Sequence, residues 1–200
     1  LSASYNGHKI AWYENDGSES FTEHVIDASA YNAESVYASD VDGDGDMDVL
    51  SAEMYDNKIA WYENDGSESF TKHIIAGPYG IGRPKSVYAA DVDGDGDIDV
   101  LAASSSDDKI RWYENDGSES FTEHVISTSA DGAWFVYAAD VDGDGDMDVL
   151  SASVYDDKIA WYEHIQDATA PAAPTGLAAT TVYTNITLSW NANSESDLAS

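Results

Sequence analysis

The stretch DVDGDGDMD at residues 40–48 places five aspartates within nine residues. The chain repeats it as DVDGDGDID at residues 91–99 and again as DVDGDGDMD at residues 140–148. Two carboxylates about 5 Å apart repel each other by roughly 3 kcal/mol at an effective dielectric constant of about 20. Each stretch is therefore either an open, solvated acidic turn or a loop that folds around a cation.

The spacing of the acids favours the cation. Aspartates at loop positions one, three and five, followed by glycine at position six, match the first half of a calcium-binding loop. The second half departs from an EF-hand, because position twelve is not acidic and the last acid falls at position nine. Those position-nine acids are Asp48, Asp99 and Asp148. Short runs of β-branched and aromatic residues flank each loop and predict strands. We therefore predict three β-loop-β calcium hairpins.

The overall charge narrows the range of partners. The chain has 39 acidic and 8 basic residues and a net charge of -31. A protein that binds nucleic acid or an anionic membrane surface needs clustered Lys and Arg, so neither is an expected partner of this chain. Salt adaptation explains the total charge but not the spacing of the aspartates. The chain has no cysteine, which excludes disulfides and thiol catalysis, and no apolar run long enough to predict a membrane span.

A repeat of about 50 residues is the strongest signal for the fold. The segment KIAWYEN begins at Lys9 and Lys58, its variant KIRWYEN at Lys109, and a shortened copy at Lys158. Each unit reads as four short strands separated by turns, which is typical of a β-propeller blade. A two-sheet sandwich is the alternative, but near-identical tandem units favour radial stacking. We predict an all-β fold with a partial propeller of about three and a half four-stranded blades over residues 1–165.

The predicted blades do not close a ring by themselves, since closed propellers have four to eight blades. We expect the chain either to belong to a larger ring or to need a partner copy. Residues 166–174 are rich in Pro and Ala and are interpreted as a linker. Residues 175–200 alternate like two antiparallel strands, with Trp190 as a core anchor, and resemble the start of a fibronectin type III-like β-sandwich, here truncated.

The motif DxDxDGxxD between two strands, in units of about 50 residues, resembles the FG-GAP and VCBS repeat families, which include the calcium-binding blades of integrin α-subunit propellers. The resemblance implies that positions one, three, five and nine bind Ca²⁺ through side chains and position seven through its carbonyl. The implied ligands are Asp40, Asp42, Asp44, Asp46 and Asp48 in the first loop, Asp91, Asp93, Asp95, Asp97 and Asp99 in the second, and Asp140, Asp142, Asp144, Asp146 and Asp148 in the third.

The Phe-Gly and Gly-Ala-Pro elements that name the FG-GAP family are absent, which favours the VCBS side, typical of secreted or surface-attached bacterial proteins. The implied function is that of a calcium-binding, non-enzymatic propeller segment in a secreted or cell-surface adhesion protein. Its partner would be an extracellular protein or a glycan. The alternative is a carbohydrate-binding, lectin-like propeller attached to a larger extracellular enzyme.

The other repeated residues favour a structural role over a catalytic one. His24, His73 and His124 share one repeat position, whereas an active site would use unique residues, and no catalytic motif of a hydrolase, zinc protease or P-loop enzyme is present. The repeated tryptophans are interpreted either as inter-blade packing or as stacking platforms for sugars; they are Trp12, Trp61, Trp112 and Trp161. Trp134 and Phe135, beside Tyr137, break the repeat and are the best candidates for a unique ligand-facing spot.

Overall fold

The computed structural model describes residues 1–164, 178–182 and 185–189. The chain divides into two units, residues 1–164 and residues 165–200. The first unit contains four antiparallel sheets, one for each predicted blade, and the second contains one strand pair.

The four sheets of the first unit follow one another along the chain, and within each sheet sequential strands are neighbours. Blade 1 has three strands, blades 2 and 3 have four, and blade 4 has three described strands. The strands are β1 (Ser2–Ser4), β2 (Lys9–Asn15) and β3 (Phe21–Asp27) in blade 1; β4 (Ala33–Ser39), β5 (Asp48–Glu53), β6 (Lys58–Asn64) and β7 (Phe70–Ala76) in blade 2; β8 (Pro84–Ala90), β9 (Asp99–Ser104), β10 (Lys109–Asn115) and β11 (Phe121–Ser127) in blade 3; and β12 (Ala133–Ala139), β13 (Asp148–Ser153) and β14 (Lys158–Tyr162) in blade 4. The all-β repeat architecture is confirmed.

The blades pack face to face, with the first strands of successive blades in contact. The hydroxyl of Ser35 on β4 accepts a hydrogen bond from the backbone N–H of Val87 on β8, at 3.3 Å. Tyr88 lies between two tyrosines of the neighbouring first strands, with ring centroids 4.7 Å from Tyr37 and 4.6 Å from Tyr137. The first strands therefore form the innermost layer of the stack.

Burial on both faces explains the near-continuous apolar runs of the second strands. All six residues of β5 and all six of β9 are buried. Alternate residues of one strand serve different cores: Val49 packs in the cluster between blades 1 and 2, whereas Leu50 packs in the cluster between blades 2 and 3. A blade is thus stabilised by packing against both neighbours as well as by its own sheet.

The outward face of blade 4 exposes residues that the same repeat positions bury elsewhere. Ile159 is 83% exposed and Trp161 is 46% exposed, whereas their counterparts Ile59 and Trp61 are 0% and 1% exposed. The difference arises because blade 3 covers this face of blade 2, while no described blade covers the face of blade 4. The expectation of a larger ring or a partner copy stays a prediction.

The second unit has two described strands, β15 (Ala178–Val182) and β16 (Asn185–Ser189), which pair antiparallel. This pairing agrees with the strands predicted there. The assignment to a fibronectin type III-like domain is not supported by any similarity found and stays a prediction, and Trp190 lies outside the described residues. In the part of the chain that the structure describes, no helix is long and apolar enough to cross a membrane.

A partly buried ion network joins blades 1 and 2. Glu53 is fully buried, and its Oε1 accepts hydrogen bonds from the Tyr62 hydroxyl at 2.8 Å and from Lys72 Nζ at 2.7 Å. Lys72 also donates to Asp27 Oδ2 at the end of β3, at 3.0 Å, and the single proton of the Tyr62 hydroxyl is shared with this oxygen, which lies 2.8 Å away. This network explains why Lys72 stands where blades 1 and 3 have glutamate. It also raises the pKa of Lys72, since its two carboxylate partners outweigh the effect of burial.

Asp27 makes the network sensitive to acid. Burial opposes ionisation of Asp27, but hydrogen bonds from Ser29, Lys72 and Tyr62 outweigh it and lower the pKa from 3.8 to about 2. A depressed pKa contributes stability above the unfolded-state pKa, and this contribution is lost as the pH falls through the folded-state value. We expect Asp27→Asn to lower the free energy of unfolding by about 2 kcal/mol at pH 6.

The measurement is denaturant unfolding of both proteins between pH 6 and pH 2. The gap between wild type and Asp27→Asn should close between about pH 4 and pH 2, as the carboxylate is protonated. Taking the difference removes the titration that both proteins share. A gap that stayed constant with pH would show that Asp27 stabilises the fold by packing alone.

Candidate metal centres

The three acidic loops are the connections between the first and second strands of blades 2, 3 and 4. In blade 2, β4 ends at Ser39, the loop follows, and β5 begins at Asp48, which pairs directly with Ser39. The same pairing joins Ala90 to Asp99 and Ala139 to Asp148. The prediction of β-loop-β hairpins is therefore confirmed, and position nine of each loop is the first residue of a strand.

The acid at position nine is anchored by backbone N–H groups. Asp48 is fully buried; its Oδ2 accepts a hydrogen bond from Val41 N at 3.0 Å and its Oδ1 one from Asn64 N at 2.8 Å. Asp99 is bonded in the same way by Val92 and Asn115. Each oxygen keeps a lone pair, so the carboxylate is oriented but remains able to accept a cation. The sequence pattern alone does not reveal the anchoring role of Asn64 and Asn115, which follow the repeated KI-x-WYE segment.

Short hydrogen bonds inside the loop fold it inward. Asp40 Oδ2 accepts from Gly45 N at 3.0 Å, Asp42 Oδ1 from Asp44 N at 3.1 Å, and Asp44 Oδ1 from Asp46 N at 2.8 Å. These aspartate turns curl the chain so that the acids at positions one and three approach position nine.

Three carboxylates meet in each loop. Their closest ligand atoms all lie within 4.8 Å of one another, and the groups are Asp40, Asp42 and Asp48, then Asp91, Asp93 and Asp99, then Asp140, Asp142 and Asp148. Calcium binds oxygen at about 2.4 Å, so two ligands on opposite sides of one ion lie about 4.8 Å apart. The donor set contains only carboxylate oxygens, which suit a hard cation such as Ca²⁺.

One buried oxygen gives a further test of fit. Asp40 Oδ1 is buried and has no hydrogen-bond partner, although the other oxygen of this carboxylate, Oδ2, accepts a hydrogen bond from Gly45 N. A buried acceptor without a partner is costly, and an ion bound between positions one, three and nine would satisfy it. The residues of the first loop therefore fit a bound cation. That ion would neutralise the charge and tie the end of β4 to the start of β5.

The raised pKa values of two loop carboxyl groups also indicate that the ionised loops are unfavourable without a cation. Burial raises the pKa of the Asp99 carboxyl to about 6, although Asn115 and Val92 donate hydrogen bonds to the ionised form. Burial also raises the pKa of Asp42, and the carboxylates of Asp48, Asp44 and Asp40 raise it further. Ionised carboxylates held together out of water are unfavourable without a counter-ion, and a cation removes this cost.

The third loop differs from the other two: its Asp140 and Asp142 are exposed, and the pKa of its position-nine acid shifts in the opposite direction. Burial acts to raise the pKa of Asp148, but backbone hydrogen bonds from His164 and Val141 outweigh it, so the pKa is lowered. Its position-nine carboxylate is therefore already stabilised in the ionised form. The backbone donor there is His164 N, at 2.9 Å, in the place that Asn64 and Asn115 occupy in the other blades.

The structure does not bring all five predicted residues of a loop together. Position five lies outside the three-carboxylate groups, and in the first loop the Asp44 side chain accepts the N–H of Asp46 instead. The same bond recurs between Asp95 and Asp97, and between Asp144 and Asp146. Positions one, three and nine thus form the core of each candidate centre, and the parts of position five and of the position-seven carbonyl stay predictions from the family resemblance.

Glycine at position six is required by the backbone. Gly45 has φ +97, and a Cβ there would meet no atom within 4 Å, so any cost of a side chain would be conformational. We expect Gly45→Ala to lower the free energy of unfolding by about 1–3 kcal/mol and to weaken calcium binding, because Gly45 N would no longer orient Asp40. Gly80→Ala is the matched control, since Gly80 has no positive φ and its Cβ would make only an ordinary contact, 3.6 Å from Gly77 O. Equal losses of unfolding free energy in Gly45→Ala and Gly80→Ala would contradict the conclusion that the backbone requires glycine at position six.

The repeated histidines and tryptophans form a packing unit. His73 stacks on Trp61 with ring centroids 4.7 Å apart and bonds Glu63 through Nε2 at 2.7 Å; the pairs His24 with Trp12 and His124 with Trp112 repeat the arrangement. Trp61 is buried and meets Phe121 of blade 3 edge-on. Inter-blade packing is confirmed for Trp61, and the interpretation of this tryptophan as a sugar platform is wrong because no ligand can reach its ring.

The residues that break the repeat on the inner strands lie side by side. Lys85 Nζ bonds Glu34 Oε1 at 2.6 Å and lies 4.4 Å from the centroid of the Trp134 ring. Trp134 and Phe135 are exposed, so they remain accessible to a ligand, although Lys85 already occupies one face of Trp134. Their role as a ligand-facing spot stays a prediction.

Face-to-face antiparallel blades of three or four described strands, three of which open on an acidic hairpin, define a partial β-propeller. The family model for the FG-GAP-like repeat matches residues 1–51, 40–102 and 91–151. These matches cover more than half of the chain, which therefore belongs to the FG-GAP-like repeat family, even though its Phe-Gly and Gly-Ala-Pro elements are absent.

Similarity to a solved structure supports the same fold. A lectin from Agrocybe aegerita, described for its specific recognition of non-reducing terminal N-acetylglucosamine, matches with a TM-score of 0.51 and 19% sequence identity. The match covers 70% of this chain and 40% of the lectin chain, so this chain spans less than half of that protein. No curated protein matches the chain.

Proposed function

We propose that this chain is a calcium-stabilised, non-enzymatic propeller segment of a secreted or cell-surface interaction protein. The observation that carries the proposal is the three-carboxylate group at the base of each acidic loop, at one repeat position in three blades. Membership in the FG-GAP-like repeat family supports it. Calcium would act structurally by neutralising the loop and joining the first strand of a blade to the second.

The extracellular location is part of the proposal, and the affinity expected of such loops supports it. Three carboxylates at an accessible loop form a modest site, and extracellular calcium modules bind with dissociation constants of about 0.1–1 mM. Such sites fill outside cells and stay empty in cytosol. The absence of cysteine is compatible with this proposal, because bound metal can take over the stabilising role of disulfides.

Counting the ions tests the proposal. Native mass spectrometry of the full chain, titrated with CaCl₂ after treatment with EDTA, should show a final state with three calcium ions. Asp42→Asn should remove one ion and leave two. Magnesium, which demands a tighter octahedral shell, should bind more weakly. A graded distribution of adducts with no preferred number would indicate unspecific condensation of cations on an acidic surface.

Glycan binding is the second candidate function. The similar Agrocybe aegerita lectin recognises a terminal sugar, and this chain exposes tyrosines that its cores do not use, including Tyr55, Tyr79 and Tyr155. Exposed aromatic rings are amphipathic and suit the faces of sugars. A glycan array probed with the calcium-loaded chain tests this function. Binding of a defined glycan class supports it, and an array without signal rejects it.

A further inference from the structure

A polar pocket of about 350 Å³ lies between blades 2 and 3, where the linker after β7 meets the turn between β9 and β10. The linker supplies Tyr79, whose side chain is fully exposed, and the turn supplies Ser106 and Asp107. The other polar side chains that line the pocket are Asn57, Lys109 and Arg111.

Several residues that line the pocket differ from their counterparts in the other repeats. Arg111 stands at the position of Ala11, Ala60 and Ala160, and Ser106 at the position of Tyr55 and Tyr155. The linker AGPYGIGRPK at residues 76–85 is also specific to this junction. Gly82 packs closely against the turn, since a Cβ there would lie 2.5 Å from Ser106 Oγ. Three unrelated departures from the repeat therefore converge on one cavity.

Arg111 changes the ion pairing of the turn. In blades 2 and 4 the lysine that opens the third strand pairs with the aspartate two residues before it: Lys58 with Asp56 at 3.2 Å, and Lys158 with Asp156 at 2.8 Å. In blade 3 the equivalent aspartate, Asp107, is bound instead by the buried guanidinium of Arg111.

This change leaves Lys109, the first residue of the third strand of blade 3, without the aspartate partner that Lys58 and Lys158 have. Asp107 also accepts a hydrogen bond from Ser104 Oγ at 2.6 Å. The neighbouring acid, Asp108, accepts from Gly132 N at 2.9 Å. Within residues 1–164, Lys109 has no ion-pair partner, and the residue lines the pocket.

Arg83 is the second cation of this kind. Its side chain is exposed and has no ion pair with any described residue. Its backbone fixes it beside the pocket, because Arg83 N donates to Asn57 Oδ1 at 2.8 Å and Arg83 O accepts from Ser105 N at 3.1 Å. The other six cations all have carboxylate partners; they are Lys9, Lys58, Lys72, Lys85, Arg111 and Lys158.

We propose that this pocket binds a carboxylate-bearing sugar, such as the uronic acid unit of an acidic glycan, and this inference rests on the glycan-binding candidate above. Elsewhere a chain with a net charge of -31 repels anions. Here Lys109 and Arg83 supply positive charge that no carboxylate of the described residues takes up. The Tyr79 ring offers a face on which a sugar can stack, and Asn57 and Ser106 offer polar groups for its hydroxyls.

The test measures binding of D-glucuronate, D-glucose and acetate to the full calcium-loaded chain. Ligand-observed NMR titration gives the dissociation constant of each probe. Glucuronate should bind about tenfold more tightly than glucose, as the loss of a charge-assisted hydrogen bond implies, and more tightly than acetate, which lacks the ring. Lys109→Gln and Tyr79→Ala should each weaken glucuronate binding by about tenfold. Lys58→Gln, at the same repeat position but already paired, is the matched control and should change nothing.

Each alternative result is informative. Equal binding of glucuronate and glucose, or an equal loss in Lys58→Gln and Lys109→Gln, would overturn the acidic-sugar site. Glucuronate binding that Lys109→Gln and Tyr79→Ala leave intact would overturn this pocket but keep the glycan-binding candidate. No binding of either sugar, together with a glycan array without signal, would overturn both. Circular dichroism of each variant verifies that it is folded.

Discussion

We expect calcium at about ten times its dissociation constant to raise the midpoint of thermal unfolding by roughly 10 °C relative to the chain in EDTA. A ligand that binds only the folded state at this excess adds about 1.4 kcal/mol per site, so three sites add about 4 kcal/mol. Burial, with a smaller contribution from neighbouring carboxylates, raises the pKa values of Asp42 and Asp99 without the ion, and relief of this cost is part of the binding free energy.

Two variants of one loop separate an ion site from a general charge effect. Asp42→Asn removes a member of the three-carboxylate group, whereas Asp46→Asn removes the same charge from outside it. Without calcium, Asp42→Asn should raise the midpoint, since it relieves repulsion in the loop. With calcium, it should lose about a third of the calcium-dependent gain, while Asp46→Asn should keep nearly all of it.

Sodium chloride is the control for screening. Monovalent salt weakens repulsion between exposed carboxylates at any position, and its effect does not saturate in the millimolar range. If sodium chloride at the same ionic strength gave the same rise as calcium, the loops would be a screened acidic surface and no specific site would be needed.

The second large effect is expected at the partly buried ion network between blades 1 and 2. Lys72→Met removes the ammonium that bonds Glu53 at 2.7 Å and Asp27 at 3.0 Å. Glu53 is fully buried but the Lys72 side chain is 29% exposed, so removing the ammonium should cost about 1–3 kcal/mol, less than the roughly 3–5 kcal/mol of a fully buried pair. Glu53 Oε2 already has no hydrogen-bond partner, so the loss should lie in the range of about 1–3 kcal/mol. Chemical denaturation in saturating calcium measures it.

A control and a rescue accompany this variant. Lys158→Met breaks the exposed pair with Asp156 and should cost less than about 1 kcal/mol. The double variant Lys72→Met/Glu53→Gln removes the buried charge as well and should recover most of the loss. If Lys72→Met were no more harmful than Lys158→Met, the network would not hold the two blades together.

The blade architecture could be predicted from the sequence because the repeat carries it. Alternating apolar residues, Asn-Asp-Gly turns and a period of about 50 residues determine four strands per unit, and the structure has them in that order. The β-loop-β nature of the acidic hairpins followed in the same way, from strand-forming residues on both sides of Asp40 and Asp48.

The contacts between blades could not be predicted in this way. They depend on single residues that differ from blade to blade, such as Lys72 with Asp27, or Lys85 with Glu34. Sequence comparison shows that Lys72 replaces a glutamate but not that Glu53 and Asp27 lie beside it. The division of the acids into a core at positions one, three and nine also needs the folded loop, because the turn that closes on Asp48 is set by hydrogen bonds from Val41 and Asn64.

The most direct measurement is anomalous diffraction from crystals of the full chain grown in calcium. Three anomalous peaks should appear, one per acidic loop, each within bonding distance of the aspartates at positions one, three and nine. Soaking the crystals in EDTA should remove them. Loops without anomalous density at calcium concentrations that stabilise the chain, or peaks only at other places on the surface, would contradict the assignment of DVDGDGDMD as a metal-binding hairpin.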